Sequence, residues 1–489
     1  MFPRPLEGRY TAMVAIALFA LVPYIVTTTA DLYYRDQIAH ELAAGKTALG
    51  VIAAIATACY AFGALLGGDL INRFSQRKLF LVCEAGFVAG SLLAALAWGP
   101  WSYGVGRVLT GFATGLLLII SVPPLIRRFP ASRLPLTAVF VNIGFFGAVT
   151  AGPLIGGFVA EVHGWRPFYF ILTGFAAAGW VLAVLTLPDQ EAPNQNLHFD
   201  ASGLGLGLVA TVLPFWAAGG LTRTGFGSAF FIVPMAVGLA AFLALLITEY
   251  RKRDALSPVK MMWTTFPVVG TLAAMVGGGA SVTFLALASQ LLLKVGDNTR
   301  VAAGLLFWPQ MAAVLVGAVL LGLLLASRYL PVLILAGMVA LIGGGVLVAL
   351  YDPHGSPAPL LAANALLGLG AGATVSPGLY LAGFALPSKM VGRIFALVEL
   401  VRSMADFILA PVMQEVARLV SGGKSLNAAG IDVALWITIW GTIGLTLFGM
   451  ALYLAARPRL PRPDLEGWLD GQGIAVFSPP LVGTAHRNA

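Results

Sequence analysis

Fourteen apolar runs, each long enough to cross a bilayer, succeed one another along the 489-residue chain and leave few folds open. A helix rises 1.5 Å per residue, so about 20 residues cross roughly 30 Å of hydrocarbon. The runs fall near residues 10–32, 46–70, 79–98, 102–125, 137–160, 167–187, 202–220, 228–248, 264–293, 302–325, 331–350, 358–383, 393–417 and 434–456. They are too long and too uniformly apolar for barrel strands, which alternate over about ten residues. Only 10% of the residues are charged and 59% are hydrophobic, too little charge to cover a water-exposed globule of this size. The 58 glycines suit a membrane bundle, where small residues let helix backbones approach. The expected fold is an all-α membrane protein with 14 transmembrane helices. The first run has full span length and is expected to be retained rather than cleaved.

An even number of spans puts both termini on one face. Loops on that face carry nineteen Lys and Arg residues against eight on the other, with Arg107 and Arg402 inside spans. The positive-inside rule then predicts cytoplasmic termini in the cell (inner) membrane. One loop departs from the bias, since residues 188–200 contain neither Lys nor Arg. The net charge of +8 follows from this topology and does not point to nucleic acid, which calls for a concentrated basic face. No zinc-ligand spacing, nucleophile elbow or phosphate loop is present in the sequence, so neither an enzyme nor a cofactor or metal is expected.

Polar residues inside the spans are the candidates for function, because a charge at bilayer depth costs about 2.5–3.5 kcal/mol on insertion scales. Arg107 lies in YGVGRVLTGFATG of span 4. Asp31 lies near the end of span 1, Glu84 lies in span 3, and Glu399, Arg402 and Asp406 share one face of span 13. The last three either neutralise one another against a cavity or relay a proton. Glu84, beside Gly86 and Gly90, reads more readily as a protonated hydrogen-bond donor between close-packed helices. Two further segments stand out. GGDLINRFSQRK turns basic after span 2, with Gly68, Asp69, Asn72, Arg73 and Arg77. VNIGFFGAVTAGPLIGGFV in span 5 places Gly144, Ala148, Gly152 and Gly156 on one small-residue face, and Pro153 removes a backbone bond.

These segments resemble the major facilitator superfamily, and within it the fourteen-span drug:proton antiporter family. The basic turn is similar to the signature loop Gly-x-Leu-x-Asp-Arg-x-Gly-Arg-Arg at Gly68, Leu70, Arg73 and Arg77. Asn72 stands where the family has aspartate, and Ser75 and Gln76 replace glycine and arginine. GPLIGG resembles the antiporter motif, through Gly152, Pro153, Gly156 and Gly157. WRPFYFI at span 6, then Gln290 and AAGLLFWPQ, extend the similarity. The family's span-1 aspartate aligns with Thr27; Asp31, one turn on, either substitutes for it or marks the helix end.

The resemblance implies six-helix bundles at 1–187 and 261–456, with an extra helix pair and linkers at 188–260. Residues 457–489 lack a sustained apolar face and read as a flexible cytoplasmic tail. A cavity lined by Tyr24, Tyr60, Asn142, Phe145, Phe146, Gln290, Asn364 and Tyr380 is expected, apolar with few fixed hydrogen bonds. The implied function is multidrug-type efflux: export of lipophilic or amphipathic compounds in exchange for protons by alternating access. A dedicated exporter or importer of one metabolite or lipid, with or without proton coupling, is the alternative. A non-transporting sensor or scaffold is more remote, since it would want a folded extramembrane part longer than any loop here. Expected partners are membrane lipid, a small lipophilic substrate and protons, with no nucleic acid. A periplasmic adaptor is left open, and the chain is expected to act as a monomer.

Overall fold

The computed structural model describes residues 4–189, 200–252, 255–423, 426–456 and 462–481. Thirteen helices among them are long and apolar enough to cross a membrane: α1 (Tyr10–Glu41), α2 (Lys46–Arg73), α3 (Gln76–Ala95), α4 (Pro100–Arg128), α5 (Ala131–Glu161), α6 (Trp165–Thr186), α7 (Ala201–Thr224), α8 (Ala229–Arg251), α9 (Thr265–Lys294), α10 (Arg300–Leu324), α11 (Leu330–Ala349), α12 (Ala358–Phe384) and α14 (Ala428–Ala455). Between the last two runs α13 (Val391–Val420), of matching length. Its buried Glu399, Arg402, Asp406 and Glu415 keep it from looking like a span by composition alone. The fold is that of two six-helix bundles with an added pair.

Two helices are broken within their length. α5 passes through a wide π turn at Ile143–Gly147. α10 breaks at Leu306 and Phe307, ahead of Pro309, which has no N–H to offer. The side-chain amide of Asn364 donates to the Leu306 carbonyl at 2.8 Å and so satisfies the break.

Within the first bundle α2 packs on α4, α1 on α5, and α3 on α4 and α6. Within the second, α9 packs on α12 and α13, and α10 and α11 flank α12. The bundles meet along α5 and α10. Gly322 faces Pro135 at one end of that seam, and Gly304 faces the Pro153 carbonyl at the other. α2 and α13 meet differently. A Cβ at Gly68 would lie 3.2 Å from that of Ala396 on the terminus face, whereas Lys46 and Gln414 stand at a cavity on the opposite face.

α7 leans on α2 and α13, and α8 covers it from outside. Asp200 caps α7 through the Gly203 amide and accepts from the Lys252 ammonium with both oxygens at 2.6 Å, pinning the start of α7 to the end of α8. Partial burial opposes its charge, but the ammonium and the amide outweigh this and hold the carboxyl down at about 2.

The expected flexible tail is corrected for residues 462–481, which are docked. The short helix α15 (Leu465–Leu469) buries Trp468, whose indole donates to the Leu386 carbonyl at 2.7 Å. The amides of Ala475 and Val476 donate to the Phe384 carbonyl at 2.9 and 3.0 Å, and Thr265 donates to Pro479 at 2.9 Å. The end of α12 leaves carbonyls without intrahelical partners, and this segment supplies their donors. α15 also touches the turn at Ala131–Arg133, which opens α5. Residues 457–461 and 482–489 of the tail, and 190–199 of the expected charge-poor loop, lie outside the described residues.

Candidate functional site

A cavity of about 680 Å³ lies between the bundles. Tyr24, Tyr60, Arg107, Phe145, Arg402 and Asp406 form its inner end, and Asp36, Lys46, Thr299 and Arg300 stand at its mouth, on the face opposite the termini. Of the residues expected there, Tyr24, Tyr60, Phe145, Phe146 and Gln290 line it. Asn142, Asn364 and Tyr380 do not, and that expectation is corrected. Asn142, fully buried, instead ties the bundles together: its amide donates to the Gly372 carbonyl at 2.9 Å and its oxygen accepts from Ser376 at 3.0 Å. Asn364 serves the α10 break. Tyr380 is packed against Phe384 and Phe395.

One charged group occupies the first bundle. Arg107 is 3% exposed and donates to the Thr27 hydroxyl at 2.7 Å, between the rings of Tyr24 and Tyr169. Thr27, where the family's acid aligns, therefore answers the arginine with a neutral oxygen. Asp31 does not mark a helix end, because α1 continues to Glu41. It accepts from the Arg35 Nε at 2.9 Å, one turn further along. Asp31, Arg35 and Arg107 all line the cavity, two cations to one anion.

The second group lies on α13. Arg402 bridges Glu399 and Asp406, its Nε donating to Glu399 at 3.0 Å, and it covers the Phe145 ring at 5.0 Å. Here two anions face one cation. Tyr60 of α2 donates to the Glu399 carboxylate at 2.7 Å, so the group is bonded across the two bundles. Asp406 is fully buried, and its second oxygen has no hydrogen-bond partner. Gly278 of α9 makes its room, since a Cβ there would lie 2.9 Å from the Asp406 carboxyl carbon. Sequence reasoning missed Gly278, Arg35 and Thr27 as parts of these groups. The only hint of Gly278 is the GGG run at 277–279 in an otherwise ordinary span.

The motif segments support this site without lining it. Asp69 pairs with Arg73 at 2.5 Å, and the Asn72 amide donates back to the Gly68 carbonyl at 2.9 Å, within its own helix. Arg77 reaches Asp189 beyond α6 at 3.3 Å, and Arg4 reaches the same carboxylate. Gly152 and Gly156 let α5 close on Thr29 and Ala30 of α1, while Gly157 faces the Arg300 carbonyl and Pro153 faces Gly304 of α10. The GPLIGG element is therefore pressed between its own bundle and the other. Glu84 lies away from the cavity, fully buried without a hydrogen-bond partner beside Gly179 and Phe19.

Membrane-crossing helices in two bundles, with a central cavity of mixed polar and apolar lining and charged side chains buried at its inner end, define a membrane transporter. The model of the Major Facilitator Superfamily matches residues 10–411, and the chain belongs to that superfamily. The Tetracenomycin C resistance and export protein of Streptomyces glaucescens is 27% identical over 396 residues, 78% of this chain and 65% of that protein. The Probable actinorhodin transporter of Streptomyces coelicolor is 27% identical over 467 residues, 91% of this chain and 74% of that one. The Puromycin resistance protein pur8 of Streptomyces alboniger is 26% identical, over 85% of this chain and 78% of its own. Among solved structures, a POT family transporter in complex with 5-aminolevulinic acid superposes with a TM-score of 0.66 at 15% identity, covering 91% of this chain and 98% of that one. The proton:xylose symporter XylE superposes with a TM-score of 0.65 at 14% identity, covering 95% and 98%. Both share the fold.

Proposed function

We propose that this transporter exports lipophilic or amphipathic organic compounds from the cell in exchange for protons, with both termini cytoplasmic in the cell (inner) membrane. The observation that carries the reading is the Glu399, Arg402 and Asp406 group at the inner end of the cavity, bonded to Tyr60 of the other bundle. A proton arriving through the open mouth neutralises one carboxylate and removes half of what holds Arg402. A neutral Glu399 also loses its charge-assisted bond to Tyr60. The bundles are then free to rock, closing the mouth and parting α2 from α13 on the cytoplasmic face. Tyr24, Tyr60, Phe145 and Phe146 offer apolar faces with few fixed hydrogen bonds, which suits affinity without strict identity. Relatives named for resistance or export of tetracenomycin C and for puromycin resistance agree with such cargo.

Thr27 and Asn72, standing where the family's acids align, favour a second reading: a carrier of one metabolite without proton coupling. One assay separates them, namely flux into proteoliposomes under an imposed pH gradient with a panel of dyes and metabolites. Export of several dissimilar dyes that follows the gradient and is lost in Asp406→Asn supports the first. Flux of a single compound, indifferent to the gradient, supports the second.

A further inference from the structure

We infer that α7, one of the two helices outside the six-helix bundles, is a wall of the transport passage. Ala218, Gly219 and Thr222 are then part of the surface that an occupant of the passage meets. The inference rests on reading the cavity as that passage. At the mouth α2 and α13 stand apart, with Gly50, Ala53 and Ala54 on one side and Phe407, Ala410, Pro411 and Gln414 on the other. α7 fills the slit between them, and Ala218, Gly219 and Thr222 line the same cavity. No residue of α8 does so.

The two edges of α7 are built differently. Toward α2 it forms a small-residue seam: a Cβ at Gly219 would lie 2.6 Å from that of Ala54 and 3.1 Å from the Gly50 carbonyl oxygen, and further along Gly207 faces Leu65. Toward α13 it presents the Phe215 ring, 6.1 Å from that of Phe407 and tilted against it. Backbone-to-backbone contact fixes a helix more firmly than a ring sliding on a ring. α7 therefore travels with the first bundle and slides over α13.

The need for a wall follows from the ions. Arg402 and Asp406 are tolerable at bilayer depth only beside water or protein. An open slit between α2 and α13 would bring acyl chains to them. A helix closing the slit keeps the cavity wet, and its inner surface then belongs to the binding site, with the Thr222 hydroxyl as a polar contact. Trp216, on the same helix, is 39% exposed and does not line the cavity.

The test uses the full chain in proteoliposomes, with Cys59 and Cys83 replaced by alanine and single cysteines introduced one at a time. A charged, membrane-impermeant thiol reagent is applied to the face opposite the termini. Ala218→Cys, at a position only 2% exposed, is expected to react more slowly than Gln290→Cys, which lines the same cavity from α9, whereas Thr222→Cys is expected to react at a rate similar to Gln290→Cys. Trp216→Cys is expected to react about tenfold more slowly, because an apolar setting suppresses the reactive thiolate. Thr222→Cys only trims a side chain at an exposed position and keeps the test valid if the change at 218 disturbs folding. Slow reaction at 222 with fast reaction at 290 overturns the inference and leaves the proposed function standing. Slow reaction at 290 as well overturns both. Fast reaction at 216 also contradicts the inference, since α7 would then stand in water on both sides.

Discussion

Asp406 holds one oxygen toward Arg402 and leaves the other without a partner, against a glycine that only a missing side chain keeps clear. Arg402→Ala leaves two buried carboxylates without their cation and is expected to cost about 3–5 kcal/mol, read as a lower unfolding midpoint in detergent. Gly278→Ala pushes a methyl into the Asp406 carboxyl and is expected to cost about 1–3 kcal/mol while reducing transport more than stability. Arg107→Ala is expected to abolish transport by a protein that still folds; normal transport would contradict a role for the buried guanidinium. Arg107, Glu399, Arg402 and Asp406 were legible because a charge inside an apolar run has few innocent explanations. Their partners were not. Helical spacing says that Glu399, Arg402 and Asp406 share a face, but nothing in it says that Tyr60 or Gly278 lies opposite. For the same reason Asn142 and Asn364 read as cavity residues although both serve backbone carbonyls elsewhere.

At the scale of the helix, apolar length marks a span and buried function erases the mark. Thirteen helices pass a test of length and hydropathy, and α13, which carries the ionic group, does not. The sequence reading still found it, since VGRIFALVEL is apolar on the remaining faces. Helix ends were less legible: α1 runs on to Glu41, because Arg35 pairs with Asp31 inside the helix instead of opening a loop. The break in α10 was invisible as a break, since its compensating amide comes from α12. Asn364→Leu is expected to leave the Leu306 carbonyl unsatisfied, at about 1–3 kcal/mol in thermal unfolding. A stability equal to that of the unmodified protein would show that water replaces the amide.

Across the whole molecule the terminus face is closed at two places. Gly68 meets Ala396 beneath the Tyr60 and Glu399 bond, and residues 462–481 run from α12 and α9 to the turn before α5. Trp468 anchors the second closure, and Trp468→Ala is expected to lower stability by about 3–5 kcal/mol. No pattern in the sequence announced this docking, because one tryptophan and a five-residue helix carry no periodicity to read. In the proposed function Glu399 latches the bundles in a form open away from the termini. Spin labels test it most directly, with distances measured in one experiment between positions 46 and 414 at the mouth and between 78 and 389 on the terminus face. Acidification, or Glu399→Gln at neutral pH, is predicted to shorten the first distance and lengthen the second together. If the two distances move in the same direction, or neither responds to acid or to the substitution, Glu399 is not the latch.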